Sequence, residues 1–380
     1  MPEVMIKTAE EEAPVLFTPG PAGTEDNVKR AQVVPDISPR SPEFEELMAE
    51  TRMRLVRIAA DPDGTEAILL SGSGMAAVEA MLGAAGRGSR HILVIDNGVY
   101  GKRMAEICEL TDIRHTVFRS SPWKPVDIAA LEKAIVQAPG PVDYIAVVHH
   151  ETTTGLLNDL APLSELARRH GIRLLVDAMS SFGALALDMD ADPVAYVAAS
   201  ANKNLGGMPG ASFVLARIDE IEHAEQWRPR SFYLDLCAEY RAVRESRQAR
   251  FTMPVQTLYA LDQALDNFER EGRKNRLSRF RKSWKMLLDG MSRLGFEPLV
   301  EPGDQAGLLL AVRPPSGEAF SFERLQAFFY QHRITIYPGK LEGTEYLRLA
   351  CIGTIEPQDA ERFLSLLGQY CATATTETGR

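Results

Sequence analysis

At 380 residues the chain has room for two domains with sizeable cores, and its 45% hydrophobic and 25% charged content is that of an ordinary globular protein. A formal net charge of −10 argues against nucleic acid or an anionic membrane surface as the main partner, while leaving room for small anions in a locally positive pocket. No apolar run approaches the ~18 residues of a membrane span, and the start Met1-Pro2-Glu3-Val4-Met5 has no basic leader ahead of an apolar stretch, so a cytoplasmic location is expected.

From the N-terminus, residues 1–12 are polar and are expected to form a mobile tail. Asp36-Ile37-Ser38-Pro39-Arg40 reads as a turn ahead of a helix starting near Ser41-Pro42. From about residue 65 to 215, short apolar runs alternate with stretches of helical spacing. The pattern predicts strands over 67–71, 92–96, 115–118, 144–149, 173–177, 196–200 and 212–216. Helices are expected between them over 75–83, 102–110, 127–137 and 162–170. This alternation implies an α/β fold with a mainly parallel sheet, helices on both faces, and ligands beyond the carboxyl ends of the strands. The stretch 255–294 is long, amphipathic and interrupted only by Gly272 and Gly290; it predicts one or two helices leading out of the sheet domain. Its basic clusters, Arg273-Lys274-Asn275-Arg276 and Arg279-Phe280-Arg281-Lys282, are expected to face solvent. Segments 308–313, 321–332, 334–337, 346–350 and 357–370 then follow in a β-α-β-β-α order suited to a smaller α+β domain, ending in a polar tail over 372–380. The cysteines Cys108, Cys237, Cys351 and Cys371 are scattered without paired spacing, which fits isolated thiols in a reducing compartment and neither a disulfide framework nor a zinc site.

The chemistry centres on Lys203, in the run Ser200-Ala201-Asn202-Lys203-Asn204-Leu205-Gly206-Gly207 between two apolar stretches. A lysine in such a glycine-rich, nearly uncharged loop is poorly solvated, and burial favours the neutral amine that attacks carbonyls. Asp177 closes the apolar strand upstream. A strand-end carboxylate followed by a loop lysine suggests pyridoxal phosphate: the amine joins the cofactor aldehyde and the carboxylate keeps the pyridine nitrogen protonated. Ser71-Gly72-Ser73-Gly74-Met75 follows a strand and opens a helix, so it is either a phosphate cradle or a plain turn; it fits neither the P-loop nor the dinucleotide pattern. His149-His150-Glu151-Thr152-Thr153-Thr154-Gly155 fails the zinc-protease spacing, so no metal is expected there. Its hydroxyls bond the cofactor or line the pocket, unless the segment is simply a threonine-rich turn. Tyr100, between Gly98 and Gly101, either stacks on a flat ring or packs in the core. Arg250 and Arg348 each stand beside apolar residues, a setting suited to gripping a carboxylate or phosphonate, with a structural ion pair as the alternative.

Together these strings resemble the class V aminotransferases. The likeness runs from Phe17-Thr18-Pro19-Gly20-Pro21 to Ile352-Gly353, through Glu151-Thr152-Thr153-Thr154-Gly155, Asp177-Ala178-Met179-Ser180-Ser181-Phe182-Gly183, Ser200-Ala201-Asn202-Lys203, Arg230-Ser231, Arg250-Phe251-Thr252 and Ile336-Tyr337-Pro338-Gly339-Lys340. The resemblance implies a fold-type-I pyridoxal phosphate transferase, a homodimer with shared active sites. It would have an N-terminal arm over 1–30 packing with the small domain, a large cofactor domain over 31–264 with a seven-stranded sheet, and a small domain over 265–380. It makes Lys203 the cofactor-bearing lysine and Asp177 the partner of the ring nitrogen. Tyr100 and Met179 flank the ring, and Thr152 touches its substituents. Ser73, Gly74, Met75 and Asn202 bind the phosphate together with Thr252 of the second subunit. Arg348 grips the substrate's acid group, with Arg40, Thr18 and Gly20 as further substrate contacts. The expected reaction is transfer of the amino group of 2-aminoethylphosphonate to pyruvate, giving phosphonoacetaldehyde and L-alanine. The alternatives are a related transaminase acting on alanine, serine or another aminophosphonate with glyoxylate or pyruvate, and, further off, a non-catalytic binding protein on the same scaffold.

Overall fold

The computed structural model describes residues 14–315, 320–339, 341 and 343–377. The tail 1–12, residues 378–380 and Lys340 of the string that begins at Ile336 lie outside the described residues. The rest of the expected C-terminal tail is helical, because the last helix runs over Pro357–Glu377.

The seven strands expected between residues 65 and 217 all form, and they make one sheet. They are β1 (Thr65–Ser71), β2 (Ile92–Asp96), β3 (His115–Arg119), β4 (Tyr144–Val148), β5 (Arg173–Asp177), β6 (Val194–Ser200) and β7 (Ala211–Arg217). Across the sheet the order is β1-β7-β6-β5-β4-β2-β3. Every pair among β6, β5, β4, β2 and β3 is parallel, and β7 alone runs antiparallel to both of its neighbours. Both faces are covered, as continuous apolar runs require. Leu93, Ile145, Leu174 and Val176 pack on one side with the helices Pro42–Arg57, Leu160–His170 and Val255–Glu271. Val94, Ala146, Val148 and Leu175 alternate to the other side, beneath the helices Gly74–Ala85 and Val99–Leu110. Asp177 stands at the carboxyl end of β5, in register with Val148 of β4 and Ala198 of β6. The open edge of the sheet is therefore where side chains converge.

The segment after the sheet domain divides at Gly272, whose φ of +76° is left-handed, into the helices Val255–Glu271 and Arg273–Arg293. Its basic clusters correct the sequence reading. Arg276 is buried, bonded to Glu271 at 2.5 Å and to the carbonyls of Asn204 and Leu205 at 2.8 and 3.2 Å. Arg279 ties Glu271 to the carbonyls of Gly353 and Ile355. A helix-surface arginine faces solvent by default, but these two meet carbonyls brought in by distant loops. One of those loops directly follows Lys203.

The C-terminal part holds a four-stranded antiparallel sheet in the order Glu297–Pro298, Leu309–Arg313, Leu347–Ala350, Tyr337–Pro338, packed against Arg273–Arg293 and Pro357–Glu377. The expected strand over 334–337 is split, since Ile334–Thr335 pairs instead, in parallel, with Val15–Leu16. Phe17 is fully buried in this core against Phe363, which contributes roughly 2 kcal/mol and pins the segment that follows it. No helix of the described residues is long and apolar enough to cross a membrane.

Candidate active site

The pinned segment leads straight to Lys203. The Lys203 ammonium donates to the Pro19 carbonyl, and its side chain lies across Gly20, where an added Cβ would stand 2.2 Å from Nζ. Gly20 also holds φ +146°, so it supplies both the room and the backbone shape. On the expectation that Lys203 carries the cofactor, Gly20→Ala should slow its attachment roughly tenfold or more, the equivalent of ~1.4 kcal/mol of barrier. The growth of the visible absorbance of lysine-bound cofactor after mixing with apoprotein measures it.

Asp177 is 3% exposed, and its carboxylate accepts from the Met179 amide at 2.9 Å. Burial pushes its carboxyl up to about 6; the neighbouring Glu151 charge pushes the same way, while the Met179 amide and the Lys203 ammonium oppose it. A buried carboxylate of this kind is poised to hold a cationic ring nitrogen. Met179 spans from this point to the start of the helix Gly74–Ala85: a Cβ on Gly74 would meet its Sδ at 2.3 Å.

Two helices begin at this edge of the sheet, and their first turns differ. Gly74–Ala85 follows Ser73, which is exposed and makes no side-chain cap. Its open first turn is a ready anion site. Val99–Leu110 is capped from inside. The Thr153 hydroxyl accepts from the Val99 amide at 3.1 Å, and the Glu151 carboxylate accepts from Tyr100 at 3.2 Å and Gly101 at 3.4 Å.

Arg348, in the strand Leu347–Ala350, is 1% exposed. Its guanidinium donates to the carbonyls of Pro338 at 2.9 Å and Thr152 at 2.8 Å, and it hydrogen-bonds the Tyr100 phenol. Burial lowers its proton affinity, and the Tyr100, Tyr346 and Glu151 groups work against that. Among the described residues no carboxylate lies within ion-pair distance of it. Tyr346 donates to the Thr153 carbonyl at 2.9 Å, so two side chains from the small sheet grip the same threonine turn.

The structure thus places these residues in three sets of contacts: Lys203 with Gly20, Asp177 with Met179 and through it Gly74, and Arg348 with Thr152 and Tyr100, with the Lys203 charge acting on Asp177. Asn202 and Lys203 are half-buried on the loop, and the buried Thr18 closes its own turn through a bond to the Pro21 carbonyl at 2.8 Å. Met75 is half-buried at the open helix start. Two residues stand apart. Arg40 is exposed and spends its guanidinium on Gln248 and the carbonyls of Ala249 and Arg250. Thr252 is exposed on the strap beside Phe251. The Arg250 guanidinium lies over the rings of Phe232 and Phe251 and donates to the Phe232 carbonyl, so its partner is aromatic and not a carboxylate.

Sequence reasoning gave no role to Glu151, Tyr346 or His150. His150 is buried with Nδ1 on the Ser180 carbonyl at 3.1 Å and Nε2 without a partner among the described residues; burial, and less so the Lys203 charge, holds it neutral, down to about 4. The sequence signal for Glu151 is a carboxylate three residues past the apolar strand Tyr144–Val148. Two of its three amide partners, Tyr100 and Gly101, lie on the separate helix Val99–Leu110.

Residues 25–313 match the family model described as Aminotransferase class-V. The chain belongs to the class V aminotransferases. It is 34% identical over 360 residues to a protein of Pseudomonas aeruginosa (strain UCBPP-PA14) named 2-aminoethylphosphonate–pyruvate transaminase, covering 94% of this chain and 96% of that one. A Klebsiella pneumoniae protein of the same name is 36% identical, covering 93% and 96%. Among solved structures, an alanine–glyoxylate aminotransferase from Nostoc sp. superposes with a TM-score of 0.88 at 25% identity, with 97% of both chains covered. A pyridoxamine–pyruvate aminotransferase from Mesorhizobium loti, at 21% identity and a TM-score of 0.85 over 97% and 94%, shares the fold. This class V aminotransferase uses pyridoxal phosphate, and its residues fit that group: a loop lysine, a buried carboxylate at the end of β5, an uncapped helix start, and a buried arginine that reaches the threonine turn from the small sheet.

Proposed function

We propose that the protein transfers the amino group of 2-aminoethylphosphonate to pyruvate, releasing phosphonoacetaldehyde and L-alanine. The observation that carries this reading is Arg348, a buried guanidinium whose protein partners are carbonyls and a phenol. Such a cation retains its charge for a small anion, and phosphonate and carboxylate offer it the same forked acceptors in turn. The names borne by relatives at 34 and 36% identity support the same substrates.

In this reading Lys203 holds the cofactor covalently and Asp177 keeps its ring nitrogen protonated. Tyr100 and Met179 flank the ring, and Thr152 meets its substituents. Ser73, Gly74, Met75 and Asn202 take the phosphate, with Thr252 supplied across a homodimer interface. The exposed aromatic group beside that strap, with Phe232 at 78% exposure and its ring tilted at 57° to that of Phe251, supports a second copy covering it. Thr18, Gly20 and Arg40 complete the substrate contacts, and the location is cytoplasmic. Bound pyridoxal phosphate supplies an aldehyde that takes up amino groups and a ring that accepts the electron pair left at the carbon bearing nitrogen. Lys203 Nζ, once displaced by the donor amine, takes the proton from that carbon and returns it elsewhere. Arg348 orients the acid group so that this C–H bond faces the lysine.

A panel of amine donors tests the reading. 2-Aminoethylphosphonate should bleach the visible band of the lysine-bound cofactor and yield phosphonoacetaldehyde, and pyruvate should restore the band. Bleaching by alanine or serine and not by the phosphonate would assign the protein to another transaminase of the class. Arg348→Lys should raise KM for the anionic donor roughly 10- to 100-fold, the scale of a charge-assisted bond, with a smaller effect on neutral amines. Equal effects on both would make Arg348 structural.

A further inference from the structure

The buried acid Glu151 has no place in the chemistry above, yet its carboxylate accepts from three backbone amides of the site's framework. It is 0% exposed. One carboxylate oxygen accepts from the Thr153 amide at 2.9 Å; the other accepts from Tyr100 at 3.2 Å and Gly101 at 3.4 Å. Burial raises its carboxyl, and these amides, with the Thr153 hydroxyl, work to keep it ionised. The positive end of the helix Val99–Leu110 favours the charge as well. Gly98 makes the approach possible: a Cβ there would stand 2.3 Å from the Glu151 Cδ. Gly98 itself is extended, with φ 171°, so its glycine is needed for room and not for backbone shape.

The same turn is held from its other side. Arg348 and Tyr346 bond the carbonyls of Thr152 and Thr153. Glu151 therefore joins the backbone that carries Tyr100 to the backbone that anchors Arg348. The Tyr100 ring has the Arg103 guanidinium at 5.2 Å from its centroid, so only its opposite face can meet a flat ligand, and the helix start sets where that face points. At the other helix of this edge, Gly74–Ala85, the first turn lacks any such cap. The fold closes one helix start with its own carboxylate and leaves the other for a ligand's anion.

We propose that Glu151 is a positioning residue for the cofactor, acting through Tyr100: it fixes the start of the helix Val99–Leu110 so that the tyrosine ring lies against the bound ring. This rests on the reading of Tyr100 as the stacking residue. The test is a double-mutant cycle on cofactor affinity, measured by titrating apoprotein with pyridoxal phosphate and following protein fluorescence, with circular dichroism in the cofactor's visible band as a second readout. Tyr100→Ala should weaken binding roughly tenfold, the upper scale of a stacked ring, and Glu151→Gln by a similar factor. The double variant should bind within about twofold of Tyr100→Ala alone. The visible dichroism should change in Glu151→Gln and not change further in the double variant.

Losses that multiply in the double variant, or wild-type affinity and dichroism in Glu151→Gln, would overturn the proposal while leaving Tyr100 as the stacking residue. Wild-type affinity in Tyr100→Ala would instead remove the stacking reading, and the proposal with it. Should Glu151→Gln fail to fold, Glu151→Asp carries the same cycle, because the shorter acid keeps the charge and loses reach to Tyr100 and Gly101.

Discussion

Lys203→Ala should bind pyridoxal phosphate without joining it, lose the visible band of the lysine-bound form, and turn over on the order of 10^4-fold more slowly, the upper scale of a positioned acid–base group. The physical reason is that in the proposed mechanism one amine serves two steps. Lying across Gly20 on the Pro19 carbonyl, it would hold the aldehyde and, once freed, take the proton from the carbon bearing nitrogen. Borohydride treatment followed by peptide mass analysis checks the assignment directly. Wild-type protein should carry the cofactor's mass on the peptide containing residue 203, and the variant should carry it nowhere. A label on any other lysine, or an unchanged spectrum in the variant, would refute the assignment.

Asp177→Asn should separate stability from activity. Burial raises the Asp177 carboxyl from the ordinary value to about 6 in the folded apoprotein. A carboxyl raised on folding stabilises the protein most when protonated, below its unfolded value. That contribution is lost as pH rises through about 6, so at neutral pH the ionised buried group is a cost. A shift of this size corresponds to up to about 3 kcal/mol. The asparagine variant keeps an oxygen for the Met179 amide and carries no charge. Apo Asp177→Asn should therefore melt higher than wild type at pH 7, with the difference shrinking to nothing below about pH 4. The loaded variant should still bind cofactor and lose most of its turnover, since a neutral amide cannot keep the ring nitrogen cationic. Thermal melts across pH and steady-state rates decide it: an apoprotein less stable at pH 7, or a fully active variant, would contradict the argument. The pattern is that of a site that gives up stability for function.

Much of this was legible in the chain. All seven strands of the main sheet and the helices between them follow from the period of apolar residues, because a sheet covered on both faces needs unbroken apolar runs and its helices need an apolar stripe. The helices Ile218–Glu225 and Leu236–Ser246, after β7, were not anticipated. Lys203 and Asp177 stood out because a lysine in an uncharged glycine loop and an acid closing an apolar strand both need a reason to be there. The likeness of whole strings to one family supplied Tyr100, Met179 and Thr152.

The antiparallel course of β7 and the roles of Arg276 and Arg279 were not legible, and of the one or two helices expected over 255–294 only the structure chose two, divided at Gly272. An arginine looks the same in sequence whether it faces water or a carbonyl from a distant loop, and only chain closure brings Asn204 to Arg276 or Ala249 to Arg40. The sequence by itself determined the layered α/β architecture and singled out Lys203 and Asp177, the two groups proposed to handle the cofactor, since apolar periodicity and a charge set against an apolar run are local properties of a strand or loop. Which acid caps which helix, and which carbonyls hold the buried Arg348, was decided only when β4, the helix Val99–Leu110 and the small sheet met around the threonine turn. Those pairings depend on distance, and distance between separate segments exists only in the folded chain.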